Sequence, residues 1–185
     1  MRTGPLRTVR RGLRGRAPTL TRRLQARGPQ HHTETITMTA PSTSAAPATA
    51  VVPLGIGDAE FLIDQARSAA EAAGVPVAVS VLDAGGHLLA FRRDDRAVLI
   101  AGETSTRKAY TALQLNAPTA DLVDAVQPGN PFHTLPTALD RPLLFIAGGV
   151  PVRRDGRLVG SLGVGGGAPQ QDHSFAHAAV QALDA

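Results

Sequence analysis

Apolar and polar positions alternate along the chain in blocks whose period changes, and the changes mark the elements. From Asp58 to Ala73 the apolar residues recur at helical spacing, with Leu62, Ala66, Ala69 and Ala73 on one face. Asp58 is placed to cap this helix, Gly74 to end it and Pro76 to prevent its continuation. Val77–Leu82 and His87–Phe91 are then two short apolar runs around Asp83-Ala84-Gly85-Gly86. Runs of this kind about a glycine pair predict an antiparallel hairpin. Both runs are apolar on both faces, so the hairpin is expected at the centre of its sheet, covered on both sides.

Ala97–Leu115 predicts a second helix, with Ile100, Thr104, Lys108 and Thr111 along one stripe and Ala101, Ala109 and Ala112 beside it. Pro118 breaks it, and Thr119 is placed to cap a short helix through Val126. Residues 127–142 hold four prolines, at 128, 131, 136 and 142, and read as a long loop. Leu143–Ile146, Gly149–Arg154 and Arg157–Val164 are three further strands, the last two joined at Asp155-Gly156, a strong hairpin signal. Pro169 opens a final helix that ends near Leu183. The order α-β-β-α-α-β-β-β-α, with hairpin connections, predicts an α+β domain: a five-stranded antiparallel sheet with helices packed on it.

Composition divides the chain into a leader, residues 1–52, and a domain, residues 53–185. The leader is Arg-rich and then rich in Thr, Ala, Pro and Ser, and is expected to be disordered. Residues 1–37 hold nine Arg and one Glu, out of 19 basic and 15 acidic residues in the whole chain. The remainder therefore has 10 basic and 14 acidic residues, a net of −4. The basic character belongs to the leader, which argues against nucleic-acid binding by the domain. Met38 is an alternative first residue. Arg10-Arg11 and Arg22-Arg23 are followed by polar sequence and not by an apolar stretch, so export is not expected and the protein is assigned to the cytoplasm. No apolar run is long enough for a membrane span. There is no Cys and only 3% aromatic residues, so the core must be Ala, Val and Leu.

Candidate chemistry sits at four places. Gly163-Val164-Gly165-Gly166-Gly167 leads straight into the last helix, and free backbone N–H groups there would suit a carboxylate or phosphate. The other reading of the run is a bent strand packed close to a neighbouring backbone. His173 and His177 stand at i and i+4, a spacing that suits two ligands of one metal or a plain surface pair. Asp172 beside them is expected to face elsewhere on the helix. Lys108 could meet a ligand carboxylate, or simply snorkel from an Ala-rich face. Tyr110 is the only tyrosine, and phenolate is a haem-iron ligand type. His133, beside Phe132 in the proline-rich loop, ranks first among imidazole candidates for haem iron, whereas His87 reads as a solvated turn residue. Asp83 reads as a turn residue bonding its own backbone.

These stretches carry a resemblance. GVPVAVSVLDAGGHLLAF (Gly74–Phe91), RKAYTA (Arg107–Ala112), the Gly148–Gly167 stretch and APQQD (Ala168–Asp172) stand in the order found in the GlcG/HbpS family. That family includes haem-binding members and the C-terminal domain of PduO-type corrinoid proteins. The similarity covers roughly residues 56–184. It implies a profilin-like fold, haem or another anionic small molecule as ligand, and a homo-oligomer. Lys108 and Thr111 match the family's Lys-Ala-x-Thr-Ala motif, which implies that this helix lines the ligand site; Gly165, Gly166 and Gly167 are expected at the same concavity from their own reading as an anion site. Gly165 and Ala168 depart from the family, which more often has Ser or Thr near these positions. The function expected is non-catalytic haem handling or sensing. The alternatives are a small tailoring or corrinoid-related enzyme acting on an acidic molecule, and a structural oligomer subunit.

Overall fold

The computed structural model describes residues 51–183. The leader before residue 51 and its expected disorder lie outside the described residues. Among those described, no helix is long and apolar enough to cross a membrane.

Helix α1 spans Ile56–Ala72. Its cap is Gly55, one turn earlier than the sequence suggested. Asp58 sits in the first turn, where its Oδ2 accepts the Gly55 N–H at 2.8 Å and its Oδ1 pairs with Arg154 at 2.6 Å. The buried stripe is Ala59, Leu62, Ile63, Ala66 and Ala70. Strands β1 (Ala78–Asp83) and β2 (Leu88–Arg93) form the first hairpin. Asp83 Oδ1 accepts the N–H groups of Gly85 and His87, each at 2.8 Å, so it is the turn residue expected. These bonds, the one from His87 first, hold the Asp83 carboxyl below its usual range.

Helix α2 spans Ile100–Leu115. Thr119 does not cap an α-helix. Its hydroxyl is buried and accepts the Gly149 N–H at 2.9 Å, and the segment forms two 3-10 turns, Thr119–Leu122 and Asp124–Val126. Strands β3 (Gly149–Arg154) and β4 (Arg157–Gly165) form the second hairpin, with Asp155 and Gly156 at φ 50° and 73°. Helix α3 spans Pro169–Leu183.

The sheet is antiparallel in the order β2-β1-β4-β3. Four strands are paired among the described residues, not five. Leu143–Ile146 carries no ladder, and the Leu144 N–H is satisfied by Thr111 Oγ1 at 2.8 Å instead. Only half of the first hairpin is central. β1 is buried almost throughout, while β2 is an edge with Leu88 and Phe91 exposed.

The two faces of the sheet differ in bulk. Alternation sends Val79, Val81, Val150, Val152, Leu162 and Val164 to one side, where α1 and α3 pack on them. The other side carries Ala78, Ser80, Gly149, Gly163 and Gly165, and α2 lies on it. With no side chains between them, helix backbone meets strand backbone. A Cβ on Gly163 would lie 2.7 Å from the Ala109 nitrogen and closer still to the Ser105 carbonyl oxygen. A Cβ on Gly165 would lie 2.6 Å from Thr104 Oγ1, and one on Gly149 would press on the Lys108 carbonyl. The Ser80 hydroxyl fits the same seam by bonding Ser105 at 2.9 Å and Thr106 at 2.8 Å.

This seam predicts the cost of one methyl group. Gly163→Ala should lower stability in urea unfolding by about 1–3 kcal/mol, as overpacking does. Gly57→Ala, in α1 with nothing within 4 Å of the added carbon, should be neutral or gain roughly 0.5 kcal/mol. Equal effects from the two would contradict the seam.

Candidate functional site

Lys108 belongs to the buried residues of α2, whose others before Leu113 are small: Ala101, Ser105, Ala109, Thr111 and Ala112. A lysine here cannot lie flat against the sheet, so its chain runs along the glycine seam to the end of β4. There Nζ donates to the Val164 carbonyl oxygen at 3.0 Å and to Asp172 Oδ2 at 2.7 Å. The two side chains are only 4% and 2% exposed. Asp172 stands in the first turn of α3, on the far side of the sheet, so the pair ties the two helical layers together around the sheet's end. Asp172 faces inward, a direction the sequence reading did not assign.

The glycine run divides between two tasks. Gly163 and Gly165 lie in β4 and make room for α2. Gly166 and Gly167 form the bend into α3. Gly166 has φ 129° and its Cβ would lie 2.5 Å from the Pro76 carbonyl oxygen, so only glycine fits. Two of the bend's donors are engaged. The Gly167 N–H donates to Asp172 Oδ1 at 2.9 Å, and the Ala168 N–H donates to Gln171 Oε1 at 3.1 Å. Pro169 has no N–H to offer.

Lys108, Asp172, Gly166 and Gly167 form the floor of a cleft of about 260 Å³. Its walls are apolar but for Thr104: Val98, Ile100 and Ala101 at the start of α2, and Ile146 and Pro169. Of three ammonium N–H donors, Lys108 uses two within the protein, leaving one for the cleft. A second hollow of about 300 Å³ adjoins the first across Ile146 and Pro169, with Val123 and Phe145 on its wall. The cleft therefore joins Lys108 to Gly166 and Gly167, while Gly165 lies beneath it in the sheet.

None of the other candidates is among the lining residues of the two hollows. Tyr110 packs beside the Gly86 turn, and the Arg141 guanidinium covers its ring at 3.6 Å. Thr111 is fully buried, donating to the Arg107 carbonyl at 2.9 Å and accepting from Leu144. His133 is exposed in the 127–142 loop. His173 and His177 have ring centroids 5.8 Å apart. Among the described residues no group of three or more His, Cys, Asp or Glu is placed to hold a metal ion. His173 Nδ1 is buried with no hydrogen-bond partner. Its pKa lies below the ordinary 6.5, first because burial disfavours the charged ring, then because His177 is near, with Asp121 opposing.

Asp172 is the residue that sequence reasoning passed over. The available signal was a carboxylate in the first helical turn after a glycine bend, together with a lysine in an alanine stripe that lacked a partner. The apolar wall was also visible, as Ala97-Val98-Leu99-Ile100, too apolar for a solvated helix start.

Comparison with known proteins bears on this arrangement. Residues 54–181 match the family model described as haem degrading protein HbpS-like. The chain is 35% identical over 136 residues to the corrinoid adenosyltransferase PduO of Salmonella typhimurium, an alignment covering 74% of this chain but 40% of PduO. The chain thus spans well under half of that relative. The crystal structure of a PduOC–haem complex is similar at TM-score 0.68 and 36% identity, covering 71% of this chain and 95% of that one. A double mutant of HbpS from Streptomyces reticuli is similar at TM-score 0.64 and 33% identity, covering 78% and 97% respectively.

Two outcomes follow from the pair and the histidine. Lys108→Met or Asp172→Leu alone strands a buried charge and should cost about 3–5 kcal/mol in urea unfolding. The double variant should recover most of that, and strict additivity would contradict the pairing. For His173, the folded state resists protonation, so the unfolded chain binds more protons below 6.5. Stability should fall as pH drops from 6.5 toward the folded-state value, and His173→Gln should flatten that slope. An NMR titration of the His173 ring with a midpoint at or above 6.5 would contradict the burial.

Proposed function

The chain belongs to the HbpS-like family, and from that premise we propose that it is a non-catalytic haem-binding protein that handles or senses haem in the cytoplasm. The observation that carries this reading is the pair of adjoining hollows. They make an open trough, apolar along Val98, Ile100, Ile146, Phe145 and Pro169, with one ammonium at its floor. A planar macrocycle with apolar faces suits such a trough better than a small polar substrate, which would leave its walls wet. The PduOC–haem complex supports the same reading. Bound haem would supply redox-active iron. The chain's own residues would supply the apolar walls, the Lys108 contact and an imidazole, for which His133 in the 127–142 loop is our candidate.

The same reading has the chain working as a homo-oligomer. Leu88 and Phe91 are exposed on the edge strand β2, and Val98, Leu99 and Ile100 are exposed at the start of α2. Exposed apolar side chains on neighbouring elements favour burial against a second surface.

Haemin titration followed by absorbance tests the proposal on the full chain. A saturable Soret change at micromolar haemin is expected, with Ile146→Asp weakening binding and His133→Ala displacing the band. No spectral change at micromolar haemin would overturn haem binding. A band unmoved by His133→Ala would remove that histidine from the iron.

A further inference from the structure

We propose that Asp172 sets what the floor of the Lys108 cleft accepts: it cancels the one cation there, so the floor takes neutral or apolar groups and turns carboxylates outward. The proposal rests on the haem reading in one respect. If haem occupies the trough, it lies with its apolar edge against the floor and both propionates at the solvent rim. This is the reverse of what a lysine beside a glycine bend suggests.

The argument is electrostatic and geometric. Lys108 Nζ stands 2.7 Å from Asp172 Oδ2, both side chains almost wholly buried. The other carboxylate oxygen holds the Gly167 N–H, so Asp172 already occupies the position an incoming carboxylate would need. None of the other residues lining the cleft carries a charge. A ligand carboxylate reaching Lys108 would place two anions on one ammonium away from water. Displacing Asp172 would strand it, since no second cation lines the cleft to receive it. The Ala168 N–H offers no alternative, because Gln171 holds it. The Thr104 hydroxyl, also in the lining, donates to the Ala101 carbonyl oxygen at 3.2 Å. Of the charged donors, what remains is the third N–H of Lys108. A carbonyl, a hydroxyl or a water accepts it without adding charge. The next titratable groups, His173 with His177 and Asp121 around it, are not part of the lining.

The test compares haemin with haemin dimethyl ester, which differ in the charge of the propionates. The wild-type chain is expected to bind the two within about threefold, a difference well under the tenfold that a lost charge contact gives. Asp172→Asn, which frees the Lys108 charge, is expected to bind haemin at least about tenfold more tightly than the ester. Wild-type chain preferring haemin by tenfold or more, or Asp172→Asn showing no such preference, overturns the proposal. If Asp172→Asn does not fold, Lys108→Met/Asp172→Leu replaces it, and that variant should bind both porphyrins as the wild type does. Discrimination by the double variant would overturn the rule. If neither porphyrin binds any chain, the haem reading falls by itself. The floor rule is then read from the Gly167 amide NMR signal of the wild type, which acetamide should shift at millimolar concentration. A shift with acetate, or none with acetamide, overturns it.

Discussion

The closeness of α2 to the sheet governs the rest of this structure. A helix on a sheet normally stands off by the length of the side chains between them. Here Gly149, Gly163 and Gly165 remove that layer, and the helix backbone at Ala101, Ser105 and Lys108 fills the space. The arrangement explains how a domain with few aromatic residues reaches a dense interior. Large side chains are collected on the α1 and α3 face, and the α2 face is closed by backbone contact. It also leaves α2 little freedom to shift, because its neighbours are main-chain atoms that cannot change rotamer.

Lys108 follows from that closeness. On a helix standing farther off, a lysine in the buried stripe would have room to snorkel sideways to water. Against the glycine seam it runs along the strand to the sheet's end and meets Asp172 from the opposite layer. Such a pair adds little to stability compared with well-packed apolar residues of the same volume. Its effect is on geometry. It fixes the start of α3 relative to α2, and through Asp172 Oδ1 it fixes the bend at Gly167. A site whose floor is held by two layers and a bend is preorganised without a ligand.

The parts of this fold legible in the sequence are those with local causes. Both hairpins were legible because turn residues act on their own neighbours: Asp83 on the amides of Gly85 and His87, Asp155-Gly156 through positive φ. The three helices were legible from spacing and proline boundaries. The missed features depend on distant partners. Leu143–Ile146 has strand composition, but Thr111 takes the amide that a ladder would need. Thr119 has cap chemistry, but Gly149 claims its hydroxyl. Asp172 and Lys108 lie 64 positions apart, and no periodicity links them. The glycine run was ambiguous for a physical reason, since close packing and exposed amides require the same residue. Both readings contained part of the arrangement: two of its glycines face a helix and the next two border a cleft.

The position of the cleft has the same origin. Along β4 the sheet is covered on both faces until Gly165, the last paired residue. Beyond it the bend at Gly166 and Gly167 carries no side chains, and Pro169 begins a helix on the other layer. Before α2, Ala97 still packs against Ala78 of β1, and the exposed Val98, Leu99 and Ile100 follow it at the helix start. A hollow opens because two closely packed layers part at a point where the chain between them is glycine. Apolar residues at the two lips, Ile100 and Ile146, remain exposed because no element among the described residues reaches across to cover them. On the proposed reading, a charge-compensated floor beneath apolar lips would attract a ligand by excluding water from its walls, and the spare lysine proton would then orient what the walls have already gathered.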